Sequence, residues 1–110
     1  MPPQTVELVE IRTTFAAHAA AAECANRIVA EGLAACVQID GPIRSTYRWQ
    51  GAVEQAEEWR CTFKTTPARA DACVAGILAG HPYETPEVLV TRLAATAAYA
   101  AWVRDAVAES

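Results

Sequence analysis

The sequence predicts an α+β fold of the ferredoxin-like type, in which elements follow one another as β-α-β-β-α-β and a further helix closes the chain. Three observations lead to this prediction. Two long alternating segments fold back on each other around residues 50–51, an amphipathic helical repeat lies on each side of them, and a short apolar strand flanks each helix at its outer end. The order predicts one domain over residues 1–110, with four antiparallel strands and both main helices on one face of the sheet.

The predicted central hairpin extends from Ala34 to Thr65 and turns at Gln50-Gly51. Its arms are rich in β-branched and aromatic residues, and apolar positions alternate with polar ones. A glycine at the second position of a two-residue loop suits the positive φ of primed hairpin turns, which determines the pairing on either side. The predicted pairs are Trp49 with Ala52 and Tyr47 with Glu54.

Two features divide this hairpin into an inner and an outer half. Gly41-Pro42 interrupts the first arm, and because proline cannot donate to a ladder, a bulge or an edge position is predicted there. Beyond it, close to the tip, we expect Tyr47, Trp49 and Trp59. A small domain has no obvious core to cover these rings, so we expect something else to cover them.

The elements before the hairpin are a strand and a helix. Val6 to Arg12 is predicted to be a strand with apolar groups on both faces. A helix from about Ala16 to Glu31 follows, and Thr13 or Thr14 is expected to supply its N-cap. Gly32 fits a left-handed glycine at the end of this helix.

The elements after the hairpin repeat this pattern in the order helix, strand, helix. Thr66-Pro67 predicts the N-cap and first-turn proline of a second amphipathic helix, which ends at Gly80. Glu87 to Leu93 is predicted to be a strand that is apolar on both faces. A last helix is expected from about Ala97 to Ala108, with Thr96 as its cap.

The first and last predicted strands therefore carry apolar groups on the face of the sheet that the two main helices do not cover. An apolar face open to water is costly unless something packs against it. The sequence thus indicates either a partner or self-assembly.

Composition excludes some partners and suggests a compartment. A net charge of −4 and a pI near 5.1 argue against nucleic acid or an anionic membrane as the main partner. No apolar run approaches the roughly 18 residues that a membrane span needs. Four cysteines without C-x-x-C spacing, in a sequence that lacks a signal-peptide pattern, favour free core thiols in a reducing cytoplasm over a disulfide or zinc framework.

Several short motifs resemble those of the CutA divalent-cation tolerance family, in the same order and spacing over nearly the whole chain. The most specific combination is Y-x-W-x-G in the hairpin with H-P-Y-E after the second helix. The matching segments are Ala34-Ala35-Cys36-Val37, Tyr47-Arg48-Trp49-Gln50-Gly51, Glu58, Lys64-Thr65, His81-Pro82-Tyr83-Glu84, Pro86-Glu87 and Tyr99-Ala100-Ala101-Trp102.

The resemblance implies a compact homotrimer similar to PII signalling proteins, in which hairpins and open sheet faces pack against neighbouring subunits. It implies a role in tolerance to copper and other divalent metals, carried out by a metal-binding or signalling protein rather than an enzyme. The side chains expected in the trimer interface are Tyr47, Trp49, Trp59 and Trp102.

Three side chains are candidates for binding a divalent metal such as Cu or Zn, which the protein is not expected to require. His81 lies at a helix end with Glu84 three residues on, and imidazole with carboxylate suits a borderline ion. Cys36 offers a thiolate for Cu(I). Thr13 and Gly80 stand where some members of the family have Cys and His, which implies fewer ligands here. The alternative is that His81 bonds backbone in a tight turn and Cys36 is an inert core thiol.

Two other functions remain open from the residues. One is a PII-like trimeric sensor that binds a small anionic ligand in clefts between subunits, with Lys64 and Tyr83 as contacts. The other is a structural scaffold that anchors another protein. We expect no enzymatic activity, because the sequence offers neither a nucleophile with a base in motif spacing nor a phosphate-binding glycine loop.

Overall fold

The computed structural model describes residues 4–107, which form the predicted order of strands and helices. The pattern of period two builds the strands and the pattern of period 3.6 builds the helices, as the sequence predicts. The elements are β1 (Thr5–Phe15), α1 (His18–Ala30), β2 (Cys36–Trp49), β3 (Ala52–Thr65), α2 (Ala70–Ala79), β4 (Val88–Thr96) and α3 (Ala97–Ala106).

The four strands form one sheet in the order β2-β3-β1-β4, and every neighbouring pair is antiparallel. This is the predicted α+β, ferredoxin-like arrangement, with β1 and β3 in the centre and β2 and β4 at the edges. The two central strands can therefore be covered fully, whereas each edge strand has one side without a partner strand in the described chain.

The central hairpin has the predicted turn and register. Gln50 and Gly51 both have positive φ, 50° and 82°, as a primed two-residue turn requires. The two predicted pairs, Trp49 with Ala52 and Tyr47 with Glu54, are confirmed. The predicted bulge at Gly41-Pro42 is also confirmed, because the register of β2 against β3 shifts between Asp40 and Ile43.

Gly41 is needed at this bulge for two reasons. Its φ of 152° is a conformation that residues with a Cβ rarely adopt. A Cβ there would lie 2.9 Å from Cδ1 of Trp59 and 3.0 Å from the carbonyl oxygen of Glu58. We call residues 43–58, beyond the bulge, the outer hairpin, and the rest of the sheet the inner sheet.

The main core lies between the inner sheet and helices α1 and α2. Successive residues of a strand face opposite sides, so the odd-numbered positions of β1 and of the inner part of β3 face these helices. The buried side chains of this core are Val9, Ile11, Phe15, Ala21, Cys24, Ile28, Ala34, Cys61, Phe63, Ala70, Cys73 and Ile77.

The predicted N-cap of the first helix is wrong. Thr13 and Thr14 belong to β1, where they pair with Cys61 and Arg60 of β3, and both are buried. The N-cap is Ala17, which makes no side-chain capping bond. The two threonines pair with β3 instead of capping the helix, because β-branched residues fit a buried pleated surface well.

The other bounds differ by a few residues. α2 begins at Ala70 rather than just after Thr66, whose hydroxyl accepts a hydrogen bond from the Arg69 N–H at 3.3 Å within a preceding turn. β4 continues to Thr96, which caps α3 as predicted by accepting from the Tyr99 N–H at 3.4 Å. The predicted end of the last helix, at Ala108, lies outside the described residues.

The second face of the sheet is less apolar than the sequence predicts. α3 packs on this face through Ala100 and Val103 and covers Leu8 of β1. Beyond α3 the face is polar, because the remaining β1 and β3 side chains on it are charged or hydroxylated. These side chains are Glu10, Arg12, Thr14, Arg60, Thr62 and Lys64. The expectation of an open apolar face is therefore wrong for β1 and β3, whereas Leu89 of β4, which pairs with Arg12, is 52% exposed on this face.

The outer hairpin extends the molecule. The principal extents of the described chain are 50 × 34 × 21 Å and its radius of gyration is 15.2 Å. A compact chain of this length has a radius of gyration of about 13 Å. Within residues 4–107, no helix is both long and apolar enough to cross a membrane.

Candidate functional site

His81 lies just beyond α2, and both of its ring nitrogens are hydrogen-bonded. Nδ1 accepts from the backbone N–H of Tyr83 at 3.1 Å. Because Nδ1 accepts, the ring proton is on Nε2, which donates to the carbonyl oxygen of Thr14 at 3.0 Å. The hydroxyl oxygen of Thr13 is 3.1 Å from the same Nε2. The imidazole therefore holds the loop after α2 against the end of β1.

The surroundings of His81 favour the neutral ring. It stacks on Phe15 with ring centroids 4.4 Å apart and an angle of 12° between the planes. Burial lowers the pKa of His81 below its ordinary 6.5, although the bond to Thr14 and the charge of Glu58 act in the opposite direction. A metal could bind this ring only by displacing the Tyr83 N–H from Nδ1 or the proton from Nε2.

Tyr83 extends the same group of contacts to the hairpin. Its hydroxyl donates to Oε2 of Glu58 at 2.8 Å, and its ring lies 5.0 Å from that of His81. Burial and the bond to this carboxylate raise the pKa of Tyr83 above its ordinary 10. In the sequence, Glu58 appears only among the residues that match the family motifs, with no contact predicted for it. Its position opposite the bulge was the one signal that it lies near the inner sheet.

The candidate metal ligands do not all come together. Glu84 follows His81 in the same loop and is exposed. Cys36 pairs in register with Lys64, which pairs with Glu10, whereas His81 bonds Thr14. Glu10 and Thr14 are four positions apart on β1, or about 13 Å. In residues 4–107, no three His, Cys, Asp or Glu side chains are grouped closely enough to hold a metal ion.

Cys36 has a different neighbour, the hydroxyl of Tyr99 on α3, whose oxygen is 3.5 Å from Sγ. This hydrogen bond and burial raise the pKa of Tyr99 to about 12. The amino group of Lys64 donates to Oε1 of Gln38 at 3.0 Å. Lys64 and Tyr83, the two predicted ligand contacts, lie apart within one chain, because Lys64 is six positions or about 20 Å from Glu58 along β3.

The other three cysteines are core residues, as the sequence indicates. Cys24, Cys61 and Cys73 are buried, and all four cysteines are free thiols. Burial raises the pKa of both Cys61 and Cys73 to about 12. These thiols are therefore protonated and unreactive at neutral pH.

The predicted interface aromatics occupy three different environments. Tyr47 and Trp49 lie on the outer hairpin and are 40% and 52% exposed. Trp102 is 51% exposed on α3 and stacks with Tyr99 at 5.8 Å. Trp59, by contrast, is paired with Phe15 and packs against the main core, so its predicted place near the tip is wrong. The bulge and strand register set Trp59 at the base of the hairpin.

Comparison with known proteins identifies the family. The family model described as CutA1 divalent ion tolerance protein matches residues 9–106. The chain belongs to the CutA1 family. The matched range contains the whole central hairpin, the loop after α2 and α3. Family membership connects the chain to tolerance of divalent ions.

Similar proteins include both sequence relatives and solved structures. Over 84 residues the chain is 37% identical to the divalent-cation tolerance protein CutA of Salmonella newport strain SL254, covering 76% of this chain and 73% of that protein. The structure of CutA from Synechococcus elongatus PCC7942 is 38% identical and covers 96% of each chain with a TM-score of 0.89. A structure of the same protein complexed with a Bis-Tris molecule has a TM-score of 0.84 at 37% identity, covering 96% of this chain and 97% of that one. The CutA1 fold and the divalent-ion tolerance role predicted from the motifs are thereby confirmed.

Proposed function

We propose that this CutA1 protein acts in divalent-cation tolerance as a homotrimer in the cytoplasm, and that copper is among its ions. The observation that carries the proposal is the outer hairpin, which projects from the core with aromatic and aliphatic side chains exposed. Val53 is 67% exposed and Trp49 is 52% exposed. Exposed apolar surface concentrated on a long arm is typical of a surface that another subunit covers.

The edges of the sheet add support for assembly. β2 and β4 each have a side without a partner strand in the described chain, and Leu89 and Val90 of β4 are exposed as well. Unpaired edges of this kind readily pair with another chain. In an assembly with closed cyclic symmetry, each subunit would contact its neighbours through the same surfaces.

The assembly is tested by measuring mass. Light scattering at micromolar concentration should give three times 11.8 kDa. Melting should also depend on protein concentration whenever dissociation accompanies unfolding, because mass action favours the folded assembly. A mass of one chain over the whole concentration range would overturn the trimer.

We propose further that Cu(II) and Zn(II) bind weakly and that binding requires His81, with Glu84 as the adjacent carboxylate. Binding is weak because the metal has to replace one of the two hydrogen bonds of the imidazole. Cu(II) binds nitrogen and oxygen ligands more tightly than Zn(II) does. Cys36 is the second candidate metal ligand, because its side chain is half-buried rather than part of the core.

Calorimetric titration of chelator-treated protein with Cu(II) and Zn(II) tests this part. His81→Ala should lose the binding, and His18→Ala, at the exposed histidine of α1, should retain it. Affinity should fall as the pH drops below the pKa of His81, because only the deprotonated ring coordinates. If His81→Ala binds copper as tightly as the parent, the site lies elsewhere, and Cys36→Ser becomes the decisive variant.

A second function is proposed as the alternative, because the Synechococcus relative is complexed with a small molecule, Bis-Tris, which is an amine and so indicates small-molecule binding but not an anion. It is a PII-like sensor in which clefts between subunits bind a small anionic ligand. Lys64 supports it, since its amino group has the neutral amide of Gln38 as its hydrogen-bond partner. Measuring the melting temperature with added phosphate or dicarboxylates separates the two functions. A rise in melting temperature that disappears in Lys64→Ala and persists in the presence of a chelator supports the sensor.

The cytoplasmic location is supported by the four free thiols, which suit a reducing compartment. Fractionation of cells that express the full chain tests it directly. Recovery of the protein outside the cytoplasmic fraction would overturn this part and leave the trimer unaffected.

A further inference from the structure

The loop of residues 81–86 contacts the sheet at two separate places. At the first, the imidazole of His81 donates to the carbonyl of Thr14, near the end of β1. At the second, the hydroxyl of Tyr83 donates to the carboxylate of Glu58, at the base of the outer hairpin. One short segment thus contacts both the end of β1 and the base of the outer hairpin.

The first contact takes the place of a missing strand pair. Among residues 4–107, the ladder between β1 and β4 ends at Thr13 and Val88. Thr14 lies one residue beyond it, and the Nε2–H of His81 satisfies its carbonyl oxygen instead of a β4 amide. Stacking on Phe15 fixes the ring, so this end of the loop is attached firmly to the inner sheet.

The second contact lies where the hairpin changes direction. The bulge shifts the register after Asp40, and the first pair beyond it is Ile43 with Glu58. A bulge bends its strand and increases the local twist, so the angle of the outer hairpin is set at this pair. The bond from Tyr83 to Glu58 is partly buried and has a charged acceptor, which makes it stronger than an ordinary hydrogen bond.

We propose that the loop of residues 81–86 is a brace, in which the Tyr83–Glu58 hydrogen bond holds the outer hairpin at a fixed angle to the inner sheet. The same bond then presents Tyr47 and Trp49 to neighbouring subunits in the right orientation. This second consequence rests on the proposed trimer, whereas the first concerns a single chain. Tyr83 and Glu58 are positioning residues for assembly.

Hydrogen exchange in Tyr83→Phe tests the brace, because this change removes one hydroxyl and keeps the ring. Amides of residues 43–58 should exchange roughly tenfold faster, the factor expected from losing one hydrogen bond to a charged group. Amides of residues 8–11 should be unchanged. Tyr99→Phe is the matched control: it removes the hydroxyl that contacts Cys36 and should leave the hairpin as it is in the parent.

Changes at the acceptor complete the test. Glu58→Leu should reproduce the effect of Tyr83→Phe, and the double variant Tyr83→Phe/Glu58→Leu should add nothing further. Glu58→Gln should lie between the parent and Glu58→Leu, because its amide oxygen still accepts the hydrogen bond but carries no charge. If Tyr83→Phe does not fold, comparing hydrogen exchange of the hairpin amides between Glu58→Leu and Glu58→Gln tests the brace instead. Unchanged exchange in the hairpin, or equal acceleration over the whole chain, overturns the brace.

The two proposals fail separately. If the parent is a trimer, Tyr83→Phe should raise its dissociation constant roughly tenfold, in line with the loss of one such bond. If the hairpin amides exchange faster but the dissociation constant is unchanged, only the proposed link to assembly is overturned. If the parent has the mass of one chain, the trimer is overturned, and the exchange comparison still decides the brace.

Discussion

Strands β2 and β3 run through both the inner sheet and the outer hairpin, and the two regions differ sharply in burial. Phe63 on the inner part of β3 is fully buried, whereas Val53 on the outer part of the same strand is 67% exposed. Helices α1 and α2 cover only the inner half. The comparison teaches that one continuous alternating pattern can serve two purposes, a core in one half and a contact surface in the other.

The two halves are also stabilised differently. The inner sheet gains from removing apolar side chains from water, at about 25 cal/mol per Å². The outer hairpin relies on its ladder and cross-strand pairs, and an isolated two-stranded hairpin is only marginally stable in water. Its order therefore depends on what it contacts, either the brace at its base or a neighbouring subunit along its arms.

The largest effect should come from the inner half. Phe63→Ala should lower the free energy of unfolding by about 3–5 kcal/mol, because it leaves a cavity among fully buried neighbours. Denaturant unfolding at fixed protein concentration measures this. Phe63→Leu, which keeps most of the volume, should cost less than about 1.5 kcal/mol. Similar losses in the two variants would contradict a tightly packed inner core.

The next effect should come from the outer half and appear in assembly. Trp49→Ala should weaken subunit association by about 2 kcal/mol, close to a thirtyfold rise in the dissociation constant, because buried aromatics dominate interfaces. Sedimentation over a dilution series measures it. Leu78→Ala is the control, since Leu78 is similarly exposed at 48% but lies on α2. Equal weakening by the two variants would mean that the hairpin has no special role.

An effect of similar size, on folding rather than assembly, should come from the junction between the halves. Gly41→Ala should destabilise the protein by about 2 kcal/mol, because alanine is strained at a φ of 152° and its Cβ would meet Trp59. Gly51→Ala shares the positive φ but has open space around it, so it should cost about 1 kcal/mol. The difference between the two urea midpoints measures the added cost at Gly41, which comes from its more strained φ and from the contact with Trp59. Identical midpoints would rule that contact out.

The smallest effect concerns pH and the attachment of the loop. Burial places the pKa of His81 in the folded protein below its ordinary 6.5. Between these two values the unfolded chain binds more protons than the folded one, so stability is full above about 6.5 and is lost as the pH falls. Urea midpoints from pH 8 to pH 5 should show this loss in the parent and in His18→Gln. A loss of the same size in His81→Gln would show that another group is responsible.

Periodicity and turn chemistry were sufficient to predict the architecture. Alternation over two long arms and the Gly51 turn predicted the register of the hairpin, and Gly41-Pro42 predicted the bulge. These signals are local, because backbone geometry and the missing N–H of proline act on adjacent residues. The family motifs then identified the CutA1 family, which the matching of residues 9–106 confirms.

The sequence offered backbone hydrogen bonding as the alternative for His81, which the structure bears out, but only the tertiary structure identifies the partners of His81 and Glu58. The sequence marks His81 as a residue at a helix end, but the partners of its two nitrogens lie on β1 and in the following loop. The sequence does not distinguish Glu58 from the other carboxylates of its strand, and only folding brings the hydroxyl of Tyr83 to it. Contacts between distant positions depend on how elements pack, and a residue's own neighbours carry little information about that.

The sequence by itself thus determined which segments are strands and helices, how the hairpin pairs and which family the chain belongs to. Only the tertiary structure decided that Thr13 and Thr14 are strand residues, that Trp59 packs on the core, and that α3 covers one end of an otherwise polar face. The physical reason is the distance along the chain over which each effect acts. Turns and periodicity act over a few residues, whereas burial depends on surfaces that meet only when β1, β3 and the helices have packed together.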